Sequence, residues 1–148
     1  MILDAHHHLW RYSREEYDWI SDDMSVLTRD FTVADLRAVA GKCGVTGSIA
    51  VQARQTIAET EWLLDIAEGD NFVRGVVGWA PFVNADVSKT LDRWAERRKL
   101  KGLRHVVQDE PDDAFLLRDD FNRGVAEALR RGMTYDILIF ARHLPVAA

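Results

Sequence analysis

Cysteine is the scarcest resource of this sequence: a single residue, Cys43, stands among 148. One thiol excludes an intrachain disulfide framework and fits a reducing compartment. Its setting, Gly41-Lys42-Cys43-Gly44-Val45, reads as a small buried thiol rather than a nucleophile. Long apolar runs are also lacking; none approaches the ~20 residues of a membrane span. The start, Met1-Ile2-Leu3-Asp4, has neither the basic nor the apolar region of a signal peptide, so a cytoplasmic location is expected. There is no excess of positive charge: 19 Lys and Arg face 24 Asp and Glu, a formal net charge of −5. Without a basic stripe, nucleic acid and anionic membranes are poor partners. Gly69, Gly75 and Gly78 do not form a phosphate-binding loop, and no low-complexity segment or linker divides the chain.

What is present is the composition of an ordinary globular domain, 47% hydrophobic and 29% charged. Short apolar strands alternate with helical stretches. Ile2 to Ala5 reads as the first strand, and Thr32 to Ala40 as a helix with Thr32 as N-cap and Gly41 as its stop. Strand character follows in Val45 to Ala53, Phe72 to Ala80, Leu100 to Val107 and Met133 to Phe140. The intervening helices are expected over Glu59 to Glu68, Val87 to Arg97 and Phe121 to Arg130. Such alternation gives an α/β fold with a parallel sheet and helical crossovers. An open doubly wound sheet would usually carry a glycine-rich turn after its first strand. Here that strand ends in three histidines instead, and part of a TIM-like (β/α)8 barrel is the other architecture that fits. A full barrel takes ~250 residues, so only about four and a half βα units are expected. Residues 1–148 then form the amino-terminal part of a single barrel domain, and Arg142 to Ala148 reads as the opening of a helix in a chain that was cut.

The sharpest local signal is Asp4-Ala5-His6-His7-His8-Leu9-Trp10. Alternate side chains of a strand share a face, so His6 and His8 point together and His7 points away. Two imidazoles on one face can hold a divalent ion, or polarise a substrate oxygen and carry its proton. An expression tag would be longer and detached from the fold; a purely structural histidine cluster would bury polar rings at a cost. His7 itself reads as structural.

The motif Asp-Ala-His-x-His-Leu-Trp resembles the first strand of the amidohydrolase superfamily. More narrowly, the chain resembles the amidohydrolase-2 group, which includes sugar lactonases acting on L-fucono- and L-rhamnono-lactones, and pyrone dicarboxylate lactonase. The likeness continues in order through Tyr17-Asp18-Trp19-Ile20, Val51-Gln52-Ala53 with Glu59 to Leu64, Gly75 to Trp79, Lys101 to Pro111, and Tyr135 to Leu138 with Arg142 to Pro145. It implies a TIM-like barrel and hydrolysis of the ester bond of a small lactone, a sugar-acid lactone above all. A divalent metal such as Zn on His6 and His8 is implied too, although members of the group differ in needing one. The resemblance also implies a further His after strand six and an Asp after strand eight as general base, both beyond residue 148. Asp4 and Asp136 do not match either position.

A barrel's active site lies at the carboxyl ends of its strands. His6, His8, Gln52, Trp79, Arg104 and His105 all fall at or just past such ends. Arg104 can bind a carbonyl oxygen or a carboxylate through paired N–H donors, the alternative being a surface ion pair. Gln52 fits a hydrogen bond to a sugar hydroxyl and Trp79 fits stacking on a ring, or both simply pack. His105, Gln108 and His143 stand as substrate contacts or as structural residues. The basic group Arg93, Arg97, Arg98, Lys99 and Lys101 reads as a solvated face, and Asp109 to Asp113 as an exposed acidic loop. Two other classes stay open: a non-catalytic half-barrel that self-associates or binds a ligand, and a metal-dependent decarboxylase or other hydrolase on the same scaffold.

Overall fold

The computed structural model describes all 148 residues. Five strands, β1 (Ile2–His7), β2 (Val45–Val51), β3 (Val73–Gly78), β4 (Leu100–Val106) and β5 (Thr134–Leu138), pair in sequence order, and every pairing is parallel. Between them run α1 (Val33–Ala40), α2 (Ile57–Gly69), α3 (Val87–Arg93) and α4 (Asp119–Arg130), with a short α5 (Leu144–Ala147) after β5. The sheet is curled. His6 of β1 and Arg104 of β4 meet at 3.3 Å although two strands lie between them. Five parallel strands curled in this order are a partial TIM-like barrel, as the alternation of elements predicts. No helix is long and apolar enough to cross a membrane.

Local chemistry explains the starts and stops. Thr32 and Asp35 form a capping box at α1, each side chain reaching the other's backbone N–H. Thr56 caps α2 by accepting from the Glu59 N–H. Gly132, at φ 76°, makes the turn into β5 that a side chain would strain. α4 buries Phe121, Gly124 and Ala128 against the sheet. At Gly124 a Cβ would lie 2.1 Å from the carbonyl oxygen of Phe82, so only glycine lets α4 pack this closely.

The helical layer covers the outer face of the sheet. Leu63, Leu64, Val76, Leu91, Leu103 and Phe121 are buried in one core of 19 residues. Each such side chain contributes ~1.5–3 kcal/mol by leaving water. A second, smaller core gathers Trp10, Tyr17 and Ile20 with Phe31 under the segment that follows β1. An isolated antiparallel bridge between Trp10 and Phe31 closes that segment into an anchored loop.

Three expectations need correction. Cys43 is exposed, because it ends the single 3-10 turn Gly41–Cys43 on the surface before Gly44 turns the chain at φ 70°. The third helix stops at Arg93, not Arg97: Trp94 and Ala95 leave the helix through tight i−3 turns that bury the indole and bring the chain back to β4. The basic group is not simply solvated, since Arg97 bridges Glu68 at 2.5 Å and Asp65 at 2.7 Å on α2.

Candidate active site

Parity along the strands decides what faces the inside of the curl. His6 and His8 point inward at the end of β1, with their Nε2 atoms 3.3 Å apart. His8 Nδ1 lies 2.9 Å from the carbonyl oxygen of Val51, so that nitrogen carries the proton and donates it. Nε2 of His8 is left as a lone pair, and burial holds the ring neutral by lowering its pKa to about 4. His6 Nε2 accepts a hydrogen bond from Arg104 Nη1, and burial followed by the Arg104 charge lowers its pKa as well. The two Nε2 atoms thus converge, that of His8 free and that of His6 engaged by Arg104.

That spacing suits a divalent ion. Nitrogens bound at about 2.1 Å to a tetrahedral zinc stand about 3.4 Å apart. The Val51 carbonyl behind His8 also orients the ring as a metal-bound histidine requires. No third His, Cys, Asp or Glu completes a cluster with them.

Arg104 is buried, 6% exposed, and is tied in place by donating from Nη2 to the carbonyl oxygen of Gln52 at 2.6 Å. Its Nε has no partner, and neither has Oε1 of the fully buried Gln52. Such unpartnered buried atoms occur at His7, Ser48, Arg54 and Tyr135 too, and at Arg104 and Gln52 they adjoin a cavity. Asp136, the in-register neighbour of Arg104 on β5, acts electrostatically on both Arg104 and His6. These groups adjoin a cavity of about 290 Å³ lined by His8, Trp19, Gln52, Arg104, Gln108 and Asp109, among others. A roomier cleft of about 400 Å³ lies between His7 and α1 on the other side of β1, and neither Arg104 nor Gln52 lines it. The smaller cavity is the candidate site, because the convergent polar groups lie there.

The loop after β2 frames this cavity. Glu59, wholly buried in the first turn of α2, accepts from the backbone N–H of Ala53 at 3.1 Å and of Arg54 at 2.8 Å. Burial raises its pKa to about 7 against the pull of those hydrogen bonds and of Arg54. Gln55 Oε1 accepts from the Val106 N–H at 2.8 Å, pinning the loop to the end of β4.

Of the residues singled out in the sequence, His6, His8, Arg104, Gln52 and Gln108 come together here. Gln108 also donates to the Ile139 carbonyl oxygen at 3.1 Å. Trp79, His105 and His143 do not join them. His105 follows Arg104 by one residue and so points outward, stacked on Phe115 at a centroid distance of 5.0 Å. Its Nε2 meets Glu110 at 2.6 Å, and its Nδ1 accepts from the indole N–H of Trp79 at 3.1 Å. Trp79 and His105 thus hold each other and do not line the cavity, as the packing alternative for both has it. His143 is fully buried; it accepts from the Phe140 N–H and pairs with Asp113 at 3.0 Å, which makes it a packing residue. Three positions were missed: Asp136, Glu59 and Trp19. Strand parity would have found Asp136, since it faces Arg104 across the ladder; nothing local marks the other two.

With this geometry established, the relatives become informative. A sequence profile of the amidohydrolase family matches residues 3–148. An L-fucono-1,5-lactonase of Burkholderia multivorans is 39% identical over 144 residues, 97% of this chain and 48% of that protein. An L-fucono-1,5-lactonase of Burkholderia ambifaria is 30% identical over 143 residues, again 97% of this chain and 49% of the other. The crystal structure of an amidohydrolase from Burkholderia multivorans with bound zinc superposes with a TM-score of 0.93 at 38% identity, covering 99% of this chain and 52% of that one. Amidohydrolase 2 from Bifidobacterium longum subsp. infantis, at 19% identity and a TM-score of 0.65, shares the fold. The chain spans about half the length of these relatives. With the profile match covering nearly every residue, this chain belongs to the amidohydrolase family.

Proposed function

We propose that these 148 residues are the amino-terminal part of a single barrel domain and that the intact protein hydrolyses the ester bond of a small lactone, a sugar-acid lactone. The observation that carries this reading is the convergence of His6 Nε2 and His8 Nε2 at 3.3 Å beside the buried Arg104 guanidinium. The relatives named as L-fucono-1,5-lactonases supply the substrate class.

Hydrolysis adds the oxygen of water to the ring carbonyl carbon and breaks the ring C–O bond, giving a hydroxy acid. Charge develops on the carbonyl oxygen in the transition state, and preorganised donors aimed at it lower the barrier. Arg104, fixed by the Gln52 carbonyl, is such a donor, and its desolvated position strengthens its field. The Gln52 and Gln108 side chains hold ring hydroxyls. His6 and His8 would hold a divalent ion such as zinc, which when bound supplies Lewis acidity toward the carbonyl and acidifies water. Following the resemblance, the carboxylate that takes the proton from water lies outside these residues.

The test is a lactonase assay on the intact protein with a panel of aldono-1,5- and 1,4-lactones. His6→Ala and His8→Ala are each expected to lower kcat/KM by at least about 100-fold with the circular dichroism spectrum unchanged. Activity within a few fold of the parent would overturn the assignment.

A further inference from the structure

Trp19 is an exposed aromatic side chain in an otherwise anchored loop. Its neighbours Trp10, Tyr17 and Ile20 are buried in the small core, while Trp19 itself is 45% exposed. The loop is held from several directions: Arg54 pairs with Glu16 at 2.7 Å and lies 5.1 Å from the Tyr17 ring centroid, and Trp10 donates to the Arg29 carbonyl oxygen at 2.8 Å. The Trp19 indole stands edge-on to Trp10 at 6.2 Å, so its position is set by packing rather than free. It lines two adjoining cavities. One is the inner cavity of His8, Gln52 and Arg104; the other, about 440 Å³, is an outer chamber bordered by Glu15, Glu16, Asp18 and Asp109, with Arg54 paired to Glu16 the one cation among them. The exposed part of the indole thus stands at the junction of two chambers, where a ligand entering either one meets it.

We propose that Trp19 is a substrate-contacting, specificity-determining residue: its indole stacks on the apolar C–H face of a neutral lactone ring whose polar edge meets Gln52 and Arg104. This rests on the lactonase reading and names the feature of the substrate that is read. A sugar lactone has one face of C–H bonds and a rim of oxygens, the amphipathic shape that an aromatic ring on one wall and hydrogen-bonding groups on the other select. The acidic border of the outer chamber favours an uncharged substrate over an anionic one, and favours departure of the carboxylate product. Trp79, the other tryptophan near a strand end, is committed to His105 and is turned from the cavity.

The experiment compares Trp19→Ala and Trp19→Phe in the intact protein, on a 6-deoxy aldonolactone and on its counterpart with a 6-hydroxyl. Trp19→Ala should raise KM about tenfold with kcat within threefold, and Trp19→Phe should recover most of the loss. The KM penalty should be larger for the 6-deoxy lactone, which presents more apolar surface. A KM within twofold of the parent, or a parallel fall in kcat with KM unchanged, overturns the proposal. If the parent protein turns over no lactone, the lactonase reading fails by itself. Trp19 is then judged by titrating a non-hydrolysable six-membered sugar lactam into parent and Trp19→Ala proteins: weaker binding in the variant supports the contact, and equal binding or none to either refutes it.

Discussion

Glu59 sets a balance between burial and hydrogen bonding that one substitution can measure. Its carboxyl is fully buried, and its pKa rises from the ordinary 4.5 to about 7. At about 1.4 kcal/mol per pKa unit this difference is worth about 3 kcal/mol. For a raised carboxyl the folded state binds its proton more tightly than the unfolded chain does. The associated stability is therefore complete below pH 4.5 and is lost as pH rises through about 7. Glu59→Gln is neutral at every pH, so it escapes that loss. An amide oxygen in place of Oε2 still accepts from the Ala53 and Arg54 N–H groups, but the NH2 in place of Oε1 sets a donor 3.2 Å from the Ala53 nitrogen, which costs ~1–2 kcal/mol. The variant should thus be less stable than the parent near pH 5 and equal or more stable near pH 8. Urea unfolding of the intact proteins at the two pH values reads the crossing directly. A penalty that stays constant, or grows toward pH 8, would refute the reasoning: the two N–H groups and Arg54, 3.9 Å away, would then be holding the carboxylate ionised.

Other perturbations read other parts of the architecture. Arg104→Lys keeps the charge but loses the fork that reaches both His6 and the Gln52 carbonyl; kcat/KM should fall about 100-fold, and a change below fivefold would remove Arg104 from the reaction. Gly124→Ala drives a methyl group into the Phe82 carbonyl and should destabilise by at least about 2 kcal/mol in thermal or urea unfolding, a neutral result showing that α4 can shift. Glu110→Ala strips the buried His105 of its partner and should cost ~1–3 kcal/mol of stability while leaving KM within twofold. A raised KM with unchanged stability would return His105 to the substrate.

The fold was legible because a parallel strand buried on both faces leaves a dense apolar run, and helices return between such runs. Val45 to Val51 and Val73 to Gly78 needed no tertiary information to be found. Thr32 at the start of α1 was equally plain, since its hydroxyl and the Asp35 carboxylate are three residues apart and satisfy each other's backbone donors. The end of α3 was not plain: Trp94 has helical spacing from Leu91, but the chain leaves the helix there through a tighter turn while the indole is buried and donates to Glu61 on α2. Cys43 was misplaced for a related reason, as a small apolar residue between Lys42 and Gly44 carries no periodicity that assigns it a face.

The site was legible to the extent that alternation applies. His6 and His8 differ by two residues and share the inner face, as a strand demands. The same rule separates Arg104 from His105, and it pairs Arg104 with Asp136 across the parallel ladder. Followed one residue further, it sends His105, left open between substrate contact and structural residue, to the aromatic layer and draws Asp136 in. Past the strand ends the rule lapses, and there the two tryptophans exchange places. Trp79 follows β3 directly, yet its indole N–H finds a buried acceptor in His105, worth more than a place in the open cavity. Trp19 lies in a loop without periodicity, and it reaches the cavity only because Trp10, Tyr17 and Ile20 fold that loop back beside β2. Strand positions in this fold thus follow from counting residues, whereas loop positions follow from which side chains bury the loop.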